Sequence, residues 1–196
     1  MSNKPFSPAS ERNREPILAA LRPLLQGSRS VLEIGSGTGQ HAVHFGAALP
    51  GLAWQTSDLP ANHEGIRAWL DEAALPNVLP PLALDAGSDD WPSGPFDAVY
   101  TANTCHIMSW PQVERMFAGI AKMPSVNIVC IYGPFNYGGR PTSESNARFD
   151  AMLRGRDPLS GLRDFEAMVA LAGKARLALQ EDNPMPANNR LLVFAR

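Results

Sequence analysis

The chain reads Val31-Leu32-Glu33-Ile34-Gly35-Ser36-Gly37-Thr38-Gly39-Gln40-His41 over residues 31–41. An apolar run that ends in an acid passes here directly into three glycines at alternate positions. This pattern is typical of the nucleoside-binding turn between the first strand and the first helix of a βαβ unit. Glycine lets the backbone adopt unusual φ and ψ angles, and it lets a ligand approach without a Cβ in the way. We therefore expect a ligand to lie against Gly35, Gly37 and Gly39.

The spacing of the glycines separates two kinds of nucleotide-binding turn. The dinucleotide fingerprint G-x-G-x-x-G would place its third glycine where Gln40 stands, and it has no carboxylate two residues before the first glycine. The pattern in this chain, with Glu33 at that place, resembles motif I of the class I S-adenosylmethionine (SAM) dependent methyltransferases. The resemblance implies SAM as the cofactor and S-adenosylhomocysteine (SAH) as its product. The alternative is a glycine-rich turn that binds no ligand.

Length and composition predict one folded domain over residues 1–196. A hydrophobic content of 44% and a charged content of 18% are typical of globular domains. A net charge of −2, without a cluster of Lys and Arg, argues against a nucleic-acid partner. The sequence has no apolar signal segment at its start and no run of about eighteen apolar residues, so we expect a cytoplasmic protein that does not enter a membrane. Cys105 and Cys130 lack the spacing of metal ligands, which predicts reduced structural thiols and no metal site.

Helical and strand patterns alternate along the chain, which indicates a parallel sheet covered on both faces. The predicted fold is α/β, a three-layer αβα Rossmann-like class I methyltransferase fold whose seven-stranded, mostly parallel sheet ends in a C-terminal antiparallel hairpin. Pro80 and Pro81 weaken the third strand, which favours an edge position for it. The predicted helices cover 11–25, 40–49, 62–74, 110–123 and 164–175, and the predicted strands cover 30–34, 52–57, 78–84, 96–102, 126–132, 176–181 and 190–195. The link 182–189 is too long for a tight hairpin.

Two segments interrupt or precede this alternation. The insertion 133–163 is rich in Gly, Pro, Ser and Asn and contains one short amphipathic stretch. Segments of this size beside a ligand site often shape or cover it. We predict that the insertion 133–163 and the N-terminal segment 1–28 cover the active site.

Acidic residues close the strands that follow the glycine turn. Asp58 ends the second strand, where an acid usually binds ribose hydroxyls, although a simple turn before Pro60 is the alternative. Asp85 ends the third strand and would accept from an adenine amino group, unless it too only makes a turn. Glu33 would bind the ligand's amine or nearby loop amides. The predicted cofactor-binding residues are Arg12, Asn13, Glu33, Gly35, Ser36, Gly37, Gly39, Asp58, Leu59, Asp85, Ala86 and Asn103.

The segment after the central strand is the place where a transferred methyl group should meet its acceptor. Methyl transfer from a sulfonium needs an oriented acceptor, and a base where that acceptor loses a proton. We predict Asn103 and His106 as catalytic residues, with His106 as the base, because imidazole titrates near neutral pH. The alternative is a packed, structural His106. The sequence predicts solvated helix faces for His41, His44 and His63.

Aromatic and polar residues after the fifth strand could contact the acceptor. The aromatic residues would form its wall, unless they are core residues, and the arginine and asparagine side chains would bind an anionic or polar small molecule, unless they are solvated loop residues. The predicted acceptor-binding residues are Tyr132, Phe135, Asn136, Arg140, Asn146 and Asn188, with Arg148 as a further candidate. A site closed by loops favours a small-molecule acceptor over a macromolecule.

Further blocks outside motif I make the resemblance narrower. They are Phe6-Ser7-Pro8-Ala9-Ser10-Glu11-Arg12-Asn13, Asn103-Thr104-Cys105-His106-Ile107 with Trp110, Tyr132-Gly133-Pro134-Phe135, Ser145-Asn146-Ala147-Arg148-Phe149-Asp150, Asp157-Pro158, Arg163-Asp164 and Met185-Pro186-Ala187-Asn188-Asn189. Together they resemble the domain-of-unknown-function-938 family, also grouped as methyltransferase-like protein 26, over essentially the whole chain. The resemblance implies a class I fold and a SAM-dependent methyltransferase whose acceptor is unknown.

Two functions from different classes follow as hypotheses. The leading one is a SAM-dependent methyltransferase that acts on a small molecule. The alternative is a non-catalytic regulatory protein that binds SAM or SAH, because a fold does not decide what its site does. Gln40 at the third fingerprint position weakens a third interpretation, an NAD-dependent oxidoreductase.

Overall fold

A central sheet of seven strands organises the protein in a computed structural model, which describes residues 4–196. Within these residues the strands are β1 Ser30–Ile34, β2 Ala53–Asp58, β3 Val78–Ala83, β4 Ala98–Ala102, β5 Ile128–Gly133, β6 Phe135–Tyr137, β7 Arg140–Pro141, β8 Arg163–Asp164, β9 Ala178–Met185 and β10 Asn189–Ala195. The helices are α1 Pro8–Leu24, α2 Gln40–Ala48, α3 His63–Ala73, α4 Trp110–Ala121, α5 Glu144–Arg156 and α6 Phe165–Lys174. Residues 1–3 of the predicted N-terminal cover lie outside the described residues.

The strand order in the central sheet is β3-β2-β1-β4-β5-β10-β9. Strands β1 to β5 pair in parallel, whereas β10 runs antiparallel to both β5 and β9. The predicted Rossmann-like class I methyltransferase fold with a C-terminal antiparallel pair is therefore confirmed. The chain moves outward from β1 to β3 and then returns to place β4 on the other side of β1. Ligands bind at such a switch point, outside the carboxyl ends of the strands.

Apolar residues cover both faces of the sheet. Successive side chains of a strand point to opposite faces, so Leu32 and Ile34 of β1 pack on one side while Val31 packs on the other. The first side carries α4 and α6, with Phe117 among its fully buried residues, and the second carries α1 and α2. Among the described residues, no helix has the length and apolar character that a membrane crossing requires.

One prediction about the sheet is correct and one is wrong, and both concern strands that contain proline. Strand β3, which contains Pro80 and Pro81, lies at one edge, as predicted. The predicted long link 182–189 is wrong, because β9 continues to Met185 and joins β10 through the short turn Pro186–Asn188. The prediction ended this strand at residue 181, whereas in the structure the strand continues through Pro184. Pro184 is tolerated because β9 forms the other edge of the sheet, where a missing backbone donor costs little.

The insertion 133–163 has regular structure of its own. Strands β7, β6 and β8 form a small three-stranded sheet. Helix α5 follows β7, and the Ser143 side chain caps it by accepting from the Asn146 backbone N–H. Helix α5 is longer than the short amphipathic stretch that the sequence indicated.

Candidate functional site

A cavity of about 1700 Å³ opens at the carboxyl ends of β1, β2, β4 and β5. It extends from the glycine turn after β1 to the insertion and the β9–β10 turn. Pockets for one drug-sized ligand usually measure roughly 300–1,000 Å³, so this cavity has room for two molecules side by side.

The glycine turn forms one end of the cavity. Gly35, Gly37 and Gly39 all have positive φ angles, of 70°, 59° and 89°, a conformation that favours glycine. A Cβ on Gly37 would meet no other atom within 4 Å, so the turn is open at this residue. Gly39 does not line the cavity as predicted, because a Cβ there would lie 3.2 Å from the Ile66 Cα of helix α3. Gly39 therefore permits the close packing of two helices.

Asp58 fixes the glycine turn to the end of β2. One of its carboxylate oxygens accepts from the Gly37 N–H at 2.7 Å, and the other accepts from the Leu59 N–H at 2.7 Å and the Asn62 side chain at 2.8 Å. A carboxylate has about four acceptor positions. These contacts use three of them, so one position remains for a ligand hydroxyl in the cavity that Asp58 lines.

Asp85 lies at the end of β3 and is more exposed than Asp58. Its Oδ1 accepts from the Gly87 N–H at 2.8 Å, which is the turn contact that the sequence offered as the alternative. Asp85 and Ala86 both line the cavity, as do Ser36 and Leu59. The turn contact and a ligand contact are compatible, because Oδ2 of Asp85 is not used by the turn.

Glu33 lies beneath the turn and does not line the cavity. Its Oε2 accepts from the Ser36 hydroxyl at 2.9 Å and from the Trp54 indole N–H at 3.0 Å, in place of the predicted ligand amine or loop amides. Burial raises the pKa of Glu33 to about 7, and the negative charge of Asp58 adds a smaller rise. Glu33 thus supports the turn from below, at 2% exposure.

The two predicted catalytic side chains meet at the end of β5. Oδ1 of Asn103 and Nδ1 of His106 lie 3.9 Å and 3.7 Å from the point that a Cβ on Gly133 would occupy. Asn103 has a φ of 57°, a strained angle for a residue with a side chain, and strain of this kind clusters at functional sites. His106 is buried and lines the cavity, with the Phe149 ring edge-on at 5.2 Å.

Burial and the charge of Arg163 lower the pKa of His106 to about 4, so the imidazole is neutral at pH 7. Arg163 also holds the loop that carries His106. It donates to the backbone carbonyls of Cys105 at 3.0 Å, of Leu159 at 2.9 Å and of Met108. The buried guanidinium therefore ties the loop after β4 to the insertion.

His41 is the main site residue that the sequence analysis missed. Instead of a solvated face, it occupies a buried position where its Nε2 contacts the Asn13 amide oxygen at 2.7 Å and its Nδ1 lies 3.4 Å from the Tyr100 hydroxyl. Burial lowers its pKa to about 4. The sequence did contain a signal for this buried position, because His41 lies four residues before the apolar Phe45 and therefore on the same helix face. In the structure the two rings stack with their centroids 5.1 Å apart. Asn13 lines the cavity, as does the exposed Arg12.

The six predicted acceptor residues divide into two groups. Tyr132, Asn146 and Asn188 line the cavity, but three others do not. Phe135 belongs to the hydrophobic core, Asn136 is buried and donates to the Leu162 carbonyl, and Arg140 is exposed on β7. Phe135 and Asn136 were predicted because they follow β5 closely in sequence, and Arg140 because its guanidinium suits an anionic acceptor, but β6 and β7 lead the chain away from the strand ends. Phe149, which was not predicted, contributes the missing aromatic wall.

A family model described as a protein of unknown function, DUF938, matches residues 4–196 of the sequence. The chain belongs to the DUF938 family. Because the match spans every described residue, the family model covers both the glycine turn and the insertion.

This DUF938 chain has the fold of several solved methyltransferases. The mitomycin 7-O-methyltransferase MmcR matches with a TM-score of 0.81 and 22% identity, over 96% of this chain and 54% of its own. PigF, solved with SAH, matches with a TM-score of 0.79 and 18% identity, over 92% and 55%. An O-methyltransferase family 2 protein from Planctomyces limnophilus DSM 3776, in complex with apigenin, matches with a TM-score of 0.75 and 15% identity, over 93% and 61%. The chain therefore spans little more than half the length of these three proteins.

Proposed function

We propose that this DUF938 protein is a SAM-dependent methyltransferase that acts on a small-molecule acceptor and releases SAH. The observation that carries the proposal is the convergence of Asn103 and His106 in the same cavity that the glycine turn opens into. The shared fold supports it, because the similar structures include named methyltransferases and one with SAH.

The proposed cofactor residues suit an uncharged nucleoside. Asp58 has one acceptor position left and Asp85 has a free oxygen, so two strand ends offer acceptors for sugar hydroxyls and a base amino group. Gly37 leaves the turn open for close approach. Gly35, Ser36, Leu59, Ala86, Arg12 and Asn13 complete the proposed site. When bound, SAM supplies an electrophilic methyl group on a sulfonium sulfur.

Asn103 and His106 are the proposed catalytic residues. The Asn103 side-chain amide donates a hydrogen bond to the acceptor's oxygen or nitrogen and orients it, which leaves the N–H or O–H proton for His106. His106 takes up the proton that the acceptor loses, at the ring nitrogen that carries no hydrogen in the neutral imidazole. The neutral state of the buried imidazole keeps that nitrogen available at physiological pH.

We further propose that the N-terminal segment and the insertion cover the site. Pro5 and Ser7 line the cavity, and the N-terminal segment is fastened to the rest of the fold by the Trp69 indole N–H, which donates to the Pro5 carbonyl at 2.7 Å. Lys4 pairs with Glu72 at 2.6 Å. Helix α5 of the insertion contributes the opposite wall. Covers of this kind exclude water from the reacting groups.

Thermal unfolding with and without ligand tests the cofactor site. We expect SAM and SAH to raise the melting temperature and NAD to leave it unchanged, since a hundredfold excess over Kd stabilises a protein by about 3 kcal/mol. Asp58→Asn should weaken SAH binding about tenfold or more, because it removes a charged acceptor. The exposed Glu144→Gln is the matched control and should bind SAH like the wild type. Equal SAH affinity in Asp58→Asn and the wild type would remove Asp58 from the cofactor site.

Incubation with methyl-labelled SAM and a metabolite extract separates catalysis from binding alone. We expect a labelled small product with the wild type and a rate about a hundredfold lower with His106→Ala, at unchanged SAH affinity. Tight SAH binding without any labelled product from broad extracts would favour the regulatory binding protein instead.

A further inference from the structure

The part of the cavity beyond Asn103 and His106 has a distinctive chemistry. We call it the acceptor compartment, and it is bounded by the loop 103–108, the end of β5, the first turns of α5 and the turn 186–189. Its polar side chains include Tyr132, Asn146 and Asn188. Among the described residues that line the whole cavity, the carboxylates and guanidinium belong to Arg12, Asp58, Glu64 and Asp85. None of these four comes from a segment that bounds the acceptor compartment.

The amides of the compartment are fixed by hydrogen bonds. The Asn146 side chain uses its Nδ2 to donate to the Thr142 hydroxyl at 3.0 Å and to the Asn188 carbonyl at 3.1 Å. Both hydrogens of that nitrogen are therefore used, which leaves its Oδ1 as the polar atom for a ligand. Asn188 donates in turn to the Ser145 hydroxyl at 3.1 Å.

The backbone of the β9–β10 turn also indicates that the Asn188 amide is held in a fixed position. Ala187 and Asn188 both have left-handed φ angles, of 58° and 57°, and both line the cavity. Two consecutive residues in this conformation are costly unless the surrounding structure holds them. The contacts between Asn188 and α5 provide that restraint and fix the amide at the compartment wall.

The aromatic side chains give the compartment a flat wall. Phe149 meets His106 edge-on, and Tyr132, a largely buried residue of the core on the α1 side of the sheet, also lines the cavity. Such rings offer apolar area to a planar ligand. The neutral amides add donors and acceptors without charge.

The arginines that the sequence offered for an anionic acceptor lie elsewhere. Arg140 is exposed outside the cavity, and Arg148 points to solvent, where it pairs with Glu144 at 2.9 Å. Among the described residues, a carboxylate inside the compartment would lose its water shell and meet no cation on the side chains that line the compartment. The loss of solvation without a partner disfavours its binding.

We propose that the methyl acceptor is an uncharged planar aromatic molecule, recognised by the neutral amides of Asn146 and Asn188, and that carboxylate-bearing analogues are rejected. This inference rests on the proposed function, because it assumes that the cofactor fills the other end of the cavity. The inference also goes beyond the proposed function, since it specifies the charge of the acceptor.

A matched pair of probes tests the proposal: 6-hydroxy-2-naphthamide and 6-hydroxy-2-naphthoic acid, which share a ring system and a hydroxyl and differ in charge. Binding of each is measured by calorimetry with the wild type saturated with SAH, at a pH where the acid is ionised. We expect the amide to bind at least about tenfold more tightly than the carboxylate.

A gain of charge at the compartment wall provides the second arm. Ser145 is exposed and lines the cavity, so Ser145→Arg should place a cation at the wall and reduce or reverse the preference for the amide. Ser145→Ala, which removes the same hydroxyl contact to Asn188 without adding charge, should keep that preference. Ala147→Arg is the matched control, because Ala147 is exposed on the same helix outside the cavity lining, and it should keep the wild-type ratio. SAH binding by each variant shows that it is folded.

The outcomes separate this proposal from the proposed function. If SAH does not bind, the proposed function fails. If SAH binds but the carboxylate binds as tightly as the amide, or neither probe binds at millimolar concentration, the acceptor proposal is overturned. Tight carboxylate binding that is lost in Arg12→Gln would also overturn it and would assign the charge preference to Arg12.

Discussion

Replacement of Glu33 by glutamine should change how the stability of this protein depends on pH. In the folded protein the Glu33 carboxyl is buried, and burial raises its pKa from the ordinary value of 4.5 to about 7. Glutamine is the neutral analogue of the protonated acid. Its amide oxygen can take the place of Oε2, which accepts from both Ser36 and Trp54, so these two contacts can be kept.

The sign and size of the effect follow from linkage. Between about pH 4.5 and 7 the unfolded chain releases the Glu33 proton while the folded protein retains it. The folded state therefore binds more protons, and the free energy of unfolding falls as the pH rises through this window. A tenfold change in an ionisation constant is worth about 1.4 kcal/mol, so the wild type should lose about 3 kcal/mol relative to Glu33→Gln by about pH 8. Full burial means that solvent screening does not reduce this value.

Urea unfolding of both proteins at about pH 5, 6, 7 and 8 measures the effect. The quantity of interest is the difference in unfolding free energy between variant and wild type, because the titration of His41 and His106, which acts in the opposite direction, cancels in that difference. A constant cost of the new amide group also cancels from the slope. The control is Glu144→Gln, the same substitution at an exposed position. A difference that stays constant from about pH 5 to 8 would refute the reasoning, since Glu33 would then ionise alike in both states.

Three further predictions concern the site and its supports. Once an acceptor is identified, the wild-type rate of methyl transfer should stay constant from about pH 6 to 8 and fall only near about pH 4, because burial lowers the pKa of His106 to about 4. A pH–rate profile with its midpoint at about 6.5 would contradict this prediction. Arg163→Met should lower the free energy of unfolding, measured in urea, by about 3 kcal/mol or more, since it leaves three backbone carbonyls without their donor. The control Arg154→Met breaks an exposed ion pair and should cost at most about 1 kcal/mol. Equal losses in the two variants would mean that Arg163 does not hold the loop. Trp69→Phe should speed amide hydrogen exchange in the N-terminal segment, because it deletes the indole donor to the Pro5 carbonyl. The control Trp91→Phe deletes an indole that donates to the Ser88 carbonyl and should leave this exchange unchanged. Unchanged exchange in both variants would show that the Trp69 contact does not hold the cover.

The sheet and the glycine turn were predictable because their signals are local. Each strand, each helix and the glycine turn occupies one short stretch of sequence. Asp58 and Asp85 follow directly from the ends of their strands, so their places in the fold come with the strands themselves. The positions of Pro80 and Pro81 on an edge strand also follow from one property, the missing backbone donor.

The acceptor end was not predictable in the same way, because it is assembled from distant segments. Asn146 and Asn188 are 42 residues apart and meet only because the β9–β10 turn reaches α5. Nearness to β5 in sequence favoured Phe135, and a guanidinium suited to an anion favoured Arg140, but two short strands carry both residues away from the cavity. Phe149 lines the cavity because it lies three residues after Asn146 on α5, a relation that needed the full length of the helix to be known.

The low pKa of His106 limits what this residue does in the proposed reaction. A neutral imidazole is available at pH 7, but with a pKa of about 4 it lies about six powers of ten below a phenol, so it cannot deprotonate such an acceptor to a stable extent beforehand. Proton transfer to the imidazole must then accompany the formation of the new bond to carbon. A proton that moves together with the bond requires the acceptor to be held in one orientation while it reacts. The rate in this proposal therefore depends on the orientation of the acceptor as well as on the base. The strained Asn103 and the Arg163 contacts to the loop 103–108 hold the groups that provide this orientation.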